Sequence, residues 1–227
     1  MFLVPTSGVN DWKELLASPE KHWREGYSAH ALATRWQDAK GFPSEISALF
    51  ATHSEFADIQ MLLGIPEHKV SLPGGSRASQ TDLWVLGRTP DDLVSIAVEG
   101  KVRESFGPTL AEWMLDETPG KTTRWNALCG LLGLSPGCDQ SLRYQLVHRT
   151  ASAVLEAKRF LAGKAVLVVH SFSAQQDGFD DFQAFVGQFG AAVPSAGALM
   201  HVGTVSGVEL FLGWAQGPVA TTPPTGL

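Results

Sequence analysis

The segment Leu83–Lys101, LWVLGRTPDDLVSIAVEGK, limits the possible folds more than any other part of the sequence. It holds two apolar runs, 83–87 and 93–101, whose branched side chains predict β-strands. The intervening RTPDD has the proline and aspartate typical of a tight connection, so the strands should pair as an antiparallel hairpin. Any fold for this chain must therefore contain a sheet built around this hairpin.

Further helices and strands are predicted on both sides of the hairpin. Apolar residues at helical spacing predict helices within 11–40, 41–53, 108–134, 140–161 and 180–189. The run AVLVVHSF, 165–172, is typical of a buried strand, and the other expected strands are 69–72, 198–205 and 208–214. This order predicts an α/β sandwich, in which helices flank a mixed sheet.

Length and composition favour one main domain. The 227 residues suffice for a single large core, so we expect an N-terminal helical extension (1–40), a domain (41–216) and a disordered tail (217–227). No run approaches the roughly 20 apolar residues of a membrane span, and the N-terminus does not resemble a signal peptide. A cytoplasmic protein without a membrane partner is therefore expected. Cys129 and Cys138 are too few for a disulfide framework or a zinc site.

The end of the hairpin carries unusual charges. Side chains alternate along a strand, so Glu99 and Lys101 should share one face, and Asp82 should lie across the hairpin from them. Two carboxylates suit Mg²⁺, and Lys101 could orient or deprotonate an attacking water. The alternative is an ordinary solvated ion pair of Glu99 and Lys101.

This arrangement resembles the D…(D/E)xK signature of the PD-(D/E)xK nuclease-like superfamily. LPGGSRASQTDLWVLG, VEGKVRESFG, LRYQLVHRTASA and VVHSFS also resemble a poorly characterised bacterial family within it. The resemblance implies the restriction-endonuclease-like fold, with an αβββαβ core, and Mg²⁺ or Mn²⁺ as cofactor. It makes Asp82 and Glu99 metal ligands and Lys101 the catalytic lysine. From the first core helix, Glu45, with Glu55 as second choice, would be a further ligand.

Two residues of the predicted helix 140–161 are additional candidates. Arg143 projects from its apolar side and could reach the carboxylates or a scissile phosphate, or instead pair with a carboxylate for structural reasons. Gln145 resembles a glutamine that some superfamily members place beside the metal, although its projection points away from Arg143. His148 and Arg149 are expected on a solvated polar face, with contact to a nucleic-acid backbone phosphate as the functional alternative.

Two functions follow from these expectations. The first is a metal-dependent nuclease that hydrolyses phosphodiester bonds of nucleic acid, DNA being favoured, and a homodimer would suit the cutting of two strands. The second is a nuclease-like fold that no longer cuts and serves as a binding or assembly module. The net charge of −6 favours the second, because proteins that bind nucleic acid usually present a basic surface.

Overall fold

A computed structural model of the chain describes residue 6 and residues 8–220. Its helices are α1 (Val9–Lys13), α2 (Pro19–His22), α3 (Ser28–Ala39), α4 (Ser44–Ala51), α5 (Leu110–Met114), α6 (Pro119–Leu132), α7 (Tyr144–Arg159) and α8 (Phe179–Gly187). Its strands are β1 (Gln60–Val70), β2 (Ser79–Arg88), β3 (Leu93–Lys101), β4 (Lys164–Ser171), β5 (Leu199–Val205) and β6 (Val208–Gln216). A short 3₁₀ turn, Ser54–Phe56, precedes β1.

The strands form one six-stranded mixed sheet in the order β1-β2-β3-β4-β6-β5. The first three strands are antiparallel neighbours, as the predicted hairpin requires. After β3 the chain passes through α5, α6 and α7 and returns as β4, which is parallel to β3. Every residue of β4 is buried, because it lies at the centre of the sheet with helices on both faces.

Two hydrophobic clusters, one on each face of the sheet, confirm the predicted α/β sandwich. Side chains of α6, α7 and α8 bury one face, and those of α1, α3 and α4 bury the other. In the second cluster Trp12, Leu32 and Trp36 lie directly against sheet residues such as Val98. The expected N-terminal extension therefore supplies part of the core beneath the sheet.

Some element boundaries differ from the predictions. The first strand begins at Gln60, nine residues before the predicted 69, and the long helix begins at Tyr144 and not at 140. Within the expected tail, Gly217 and Ala220 donate backbone hydrogen bonds to Ser171 and Phe172, while 221–227 lie outside the described residues. No helix in the described part of the chain has the length and apolar character needed to cross a membrane.

Candidate active site

Asp82, Glu99 and Lys101 meet at the end of the β2–β3 hairpin. The N–H of Gly100 donates to Asp82 Oδ2 over 2.9 Å, and Lys101 Nζ lies 3.1 Å from Glu99 Oε1. Glu99 and Lys101 are only 2% and 4% exposed. The alternative of a solvated surface pair is therefore wrong. Because burying two charges is costly unless each has good partners, further side chains are expected to contact this pair.

Helix α7 faces this strand end with Gln145 and Arg149. Gln145 donates from Nε2 to Glu99 Oε1 over 2.6 Å and accepts at its own Oε1 from Lys101 Nζ over 3.0 Å. Arg149 donates from Nε to Glu99 Oε2 over 2.6 Å and is 7% exposed. The expected solvated position of Arg149 is wrong. Its spacing of four residues from Gln145 was the available signal, since such residues share a helix face.

His148 also lies against the site and not in solvent, contrary to the prediction. Its Nδ1 is 2.8 Å from Ser79 Oγ, and its ring centroid is 4.8 Å from that of Tyr144. Burial lowers the pKa of His148 to about 3, and the charge of Arg149 adds to this effect. His148 is therefore a neutral imidazole at neutral pH.

Glu67 of β1 is a third carboxylate that sequence reasoning missed. The registers of β1–β2 and β2–β3 set Glu67 opposite Asp82, and Asp82 opposite Glu99. Gln80 donates a hydrogen bond from Nε2 to Glu67 Oε2 over 2.6 Å. Glu67 also has a φ of 53°, a left-handed conformation that costs about 1–3 kcal/mol outside glycine and is concentrated at functional sites. The three carboxylates thus form a row across adjacent strands.

The electrostatic surroundings of the three carboxylates differ. Burial raises the pKa of Asp82 to about 7, with the charge of Glu99 as the second cause. Burial also raises the pKa of Glu67 to about 8, with the charge of Asp82 as the second cause. Burial opposes ionisation of Glu99 too, but the charges of Arg149 and Lys101 outweigh it and lower its pKa. The cations of the site are thus concentrated on Glu99, and Asp82 and Glu67 lack comparable compensation.

Asp82 and Glu67 therefore fit a divalent cation better than Glu99 does. Within residues 6 and 8–220, no three or more Asp, Glu, His or Cys side chains form a ready metal-binding group. Mg²⁺, however, is commonly held by one or two carboxylates together with waters and substrate phosphate. Asp82 Oδ1 and Glu67 Oε1 accept no hydrogen bond from the described residues. Both oxygens of Glu99 are occupied by Gln145, Lys101 and Arg149.

Glu45, the predicted further ligand, lies on the opposite face of the sheet. Its carboxylate accepts two hydrogen bonds from Arg35, at 2.8 and 2.6 Å, and lies 2.9 Å from His170 Nε2. His170 is fully buried, and its Nδ1 accepts from Trp36 Nε1 over 3.1 Å. The prediction that Glu45 joins the metal site is wrong, because α4 packs against the other hydrophobic cluster.

Neither Arg143 nor Glu55 reaches the carboxylates. Arg143 donates from Nε to Asp181 over 3.0 Å and from Nη1 to the Gly107 carbonyl over 2.9 Å. Its proposed contact with the carboxylates is wrong, and the alternative of a structural pairing describes it better. Glu55 pairs with Lys164 at 3.2 Å.

The row of carboxylates forms part of the floor of a cavity of about 700 Å³. Residues from α7, from the loop after β3 and from the segment around α2 form its walls. Among these lining residues are Lys21, His22, Tyr27, Ser28, Glu104, Phe106, Tyr144 and His148. The site is therefore a recess open to small ligands or to part of a polymer.

A family model described as a domain of unknown function, DUF6946, matches residues 5–219. The chain belongs to this family. No curated protein and no solved structure matches it. The DUF6946 match covers nearly the whole chain, including the N-terminal helices and the cavity, so these helices are part of the family's domain. The wider PD-(D/E)xK relationship stays a prediction from the sequence.

Proposed function

We propose that the protein is a metal-dependent nuclease that hydrolyses phosphodiester bonds of nucleic acid, with DNA favoured. The observation that carries this proposal is the convergence of Glu67, Asp82, Glu99 and Lys101 on one cavity floor. When α5 and α6, which lie between β3 and α7, are set aside, the order α4-β1-β2-β3-α7-β4 agrees with the αβββαβ core that the resemblance implies. The cytoplasmic location and the homodimer stay predictions.

The side chains have distinct roles in this proposal. Asp82 and Glu67 would hold Mg²⁺ or Mn²⁺, which lowers the pKa of a bound water and stabilises charge on phosphate oxygens. Lys101, held by Glu99 and Gln145, supplies positive charge where negative charge develops on the phosphate. Arg149 acts as a positioning residue, because it fixes Glu99 and thereby the ammonium group of Lys101.

A cleavage assay tests the proposal directly. Purified protein should degrade end-labelled oligonucleotides in Mn²⁺ or Mg²⁺ but not in EDTA. Lys101→Met, which keeps the length of the side chain, should reduce the rate at least 100-fold, the order of loss seen when one charge-stabilising group is removed. Lys158→Met, at an exposed position of α7 outside the cavity, is the control for loss of a lysine charge. Equal cleavage by the wild type and Lys101→Met would refute the proposal.

Metal binding is tested separately by thermal unfolding. A cation at 100 times its Kd stabilises the folded state by about 2.7 kcal/mol, so Mn²⁺ should raise the melting temperature of the wild type. Asp82→Asn and Glu67→Gln should each abolish the increase. Glu45→Gln should keep it, because Glu45 lies on the other face of the sheet.

The occupied oxygens of Glu99 favour a second candidate function. If the ion-pair network of Glu99, Lys101 and Arg149 is purely structural, the protein is a binding or assembly module without hydrolytic activity. The net charge of −6 agrees with this alternative. Absence of both cleavage and the Mn²⁺ shift would favour it over the nuclease.

A further inference from the structure

The segment around α2 forms one wall of the cavity. Leu16, Lys21, His22 and Tyr27 from this segment line the same cavity as Lys101. The Ser28 N–H at the start of α3 donates to Glu104 Oε1 over 3.3 Å. This hydrogen bond joins the N-terminal wall to the loop that follows β3. The N-terminal helices therefore limit access to the carboxylates from one side.

The recess is too small for a double helix to reach Lys101. Because Lys101 is 4% exposed, a phosphate contacts it only by entering the cavity. A volume of about 700 Å³ corresponds to a cube of roughly 9 Å per edge. A duplex is wider than its own major groove, which spans about 12 Å, so it does not fit inside a space of this size. The volume lies within the range of pockets for small ligands, roughly 300–1,000 Å³. One or two nucleotides of a separated strand fit these dimensions.

The walls also carry residue types that are typical of single-strand binding sites. Tyr27 is 45% exposed and lines the cavity. Tyr144 and His148 line it too, but Tyr144 is 8% exposed and already stacks on another ring, so Tyr27 is the ring that offers a face to a base. Lys21 and His22 add cationic or polar contacts for phosphates on the N-terminal wall. Proteins that bind single strands combine aromatic rings, on which bases stack, with cations that contact the backbone.

We infer that the cavity accepts a single strand of nucleic acid, or a strand end separated from its complement, and excludes an intact duplex. The inference rests on the proposed function for its ligand class. In this arrangement Tyr27 stacks on a base at the cavity mouth, Lys21 contacts the backbone, and the phosphate that enters lies near Lys101.

Binding in EDTA tests the inference without cleavage. Fluorescence anisotropy should compare a labelled 12-nucleotide DNA strand, an RNA strand of the same sequence and a blunt 12-base-pair DNA duplex. At least one single strand should bind ten times more tightly than the duplex, and the better of the two identifies the sugar preference. Equal or tighter binding of the duplex, or no binding of either single strand, would overturn the inference.

Two variants test the walls. Tyr27→Ala should weaken binding of the single strand about five- to tenfold through loss of one stacking contact, while Leu161→Ala, which trims an 89% exposed side chain away from the cavity, should not. Lys21→Gln should reduce the slope of log K against log salt by about 0.7, and the same change at Lys158 should leave the slope unaltered. Thermal melting verifies that each variant folds. Unchanged affinity in Tyr27→Ala would count against the assigned stacking site.

The two proposals fail differently. Preferential single-strand binding without cleavage in any metal would refute the nuclease and keep the single-strand site. Cleavage of a blunt duplex as fast as of a single strand, and dependent on Lys101, would keep the nuclease and overturn the single-strand site.

Discussion

Replacing Arg149 by Met should destabilise the protein strongly, because it leaves the Glu99 carboxylate buried beside one cation only. Arg149 Nε lies 2.6 Å from Glu99 Oε2, and both side chains are nearly inaccessible. Unit charges about 4 Å apart attract by about 4 kcal/mol at an effective dielectric constant of ~20. Breaking a buried pair costs about 3–5 kcal/mol. Since Lys101 remains next to Glu99, we expect a loss of about 3 kcal/mol in the free energy of unfolding.

The size of this loss should depend on pH. In the wild type the pKa of Glu99 is lowered, so its contribution to stability is present above its unfolded pKa and is lost as the pH falls through the folded value. In Arg149→Met the pKa of Glu99 should rise, so the folded protein holds a proton that the unfolded chain releases. Stability then falls with increasing pH in that range. The variant should therefore lose more stability at pH 8 than at pH 5.

Urea denaturation at the two pH values measures this loss, and a double-mutant cycle assigns it. Glu99→Gln combined with Arg149→Met removes both charges, so the double variant should recover most of the stability that Arg149→Met loses. A loss below about 1 kcal/mol in the single variant would refute the reasoning, as would a double variant whose losses simply add.

Three further predictions concern other parts of the molecule. Because burial raises the pKa of Asp82 to about 7, the folded protein keeps a proton that the unfolded chain releases, so stability falls as the pH rises from about 4 to about 7. Asp82→Asn, which cannot ionise, should add about 1–3 kcal/mol to the free energy of unfolding at pH 8 and less at pH 5. Urea denaturation at both pH values measures this effect, and an equal effect at both would contradict the reasoning. Glu45→Gln should lower the melting temperature yet leave cleavage intact, so lost cleavage at unchanged stability would contradict its structural role. Gly74→Ala should cost about 1–3 kcal/mol, since Gly74 has a φ of 80° and an added Cβ would meet the Gly120 carbonyl; Gly130→Ala, at an open helix position, is the control and should not destabilise.

The strands were predictable because their apolar side chains follow one another in runs that are typical of a buried sheet. Residues 83–87, 93–101 and 165–172 show the branched apolar runs of strands between helices, and their packing leaves few alternatives. The same alternation placed Glu99 and Lys101 on one face. Glu67 was missed because β1 begins nine residues before the predicted strand, and Glu67 takes a left-handed conformation inside it. No local rule of strand sequence indicates such a conformation.

Helix faces were harder to assign than helices. A projection of α7 separates an apolar side from a side with Gln145 and Arg149, but it does not reveal that this polar side meets buried charges of the sheet. The position of Arg143 before the first turn also turned it toward α8. Glu45 is on a correctly predicted helix, yet which sheet face that helix covers depends on tertiary contacts such as the one between Glu45 and His170, which are 125 residues apart in sequence.

The participation of α1 and α3 in the second hydrophobic cluster bears on where this polypeptide can be shortened. A fragment starting at residue 41 would lose Trp12, Leu32 and Trp36, all nearly inaccessible to solvent, and would expose the apolar sheet surface beneath them. It would also leave the His170 imidazole without the hydrogen bond that Nδ1 accepts from the indole N–H of Trp36. Such a fragment should aggregate, since large uncovered apolar patches promote association. We therefore expect that expression of a folded domain requires α1 and α3 to remain attached.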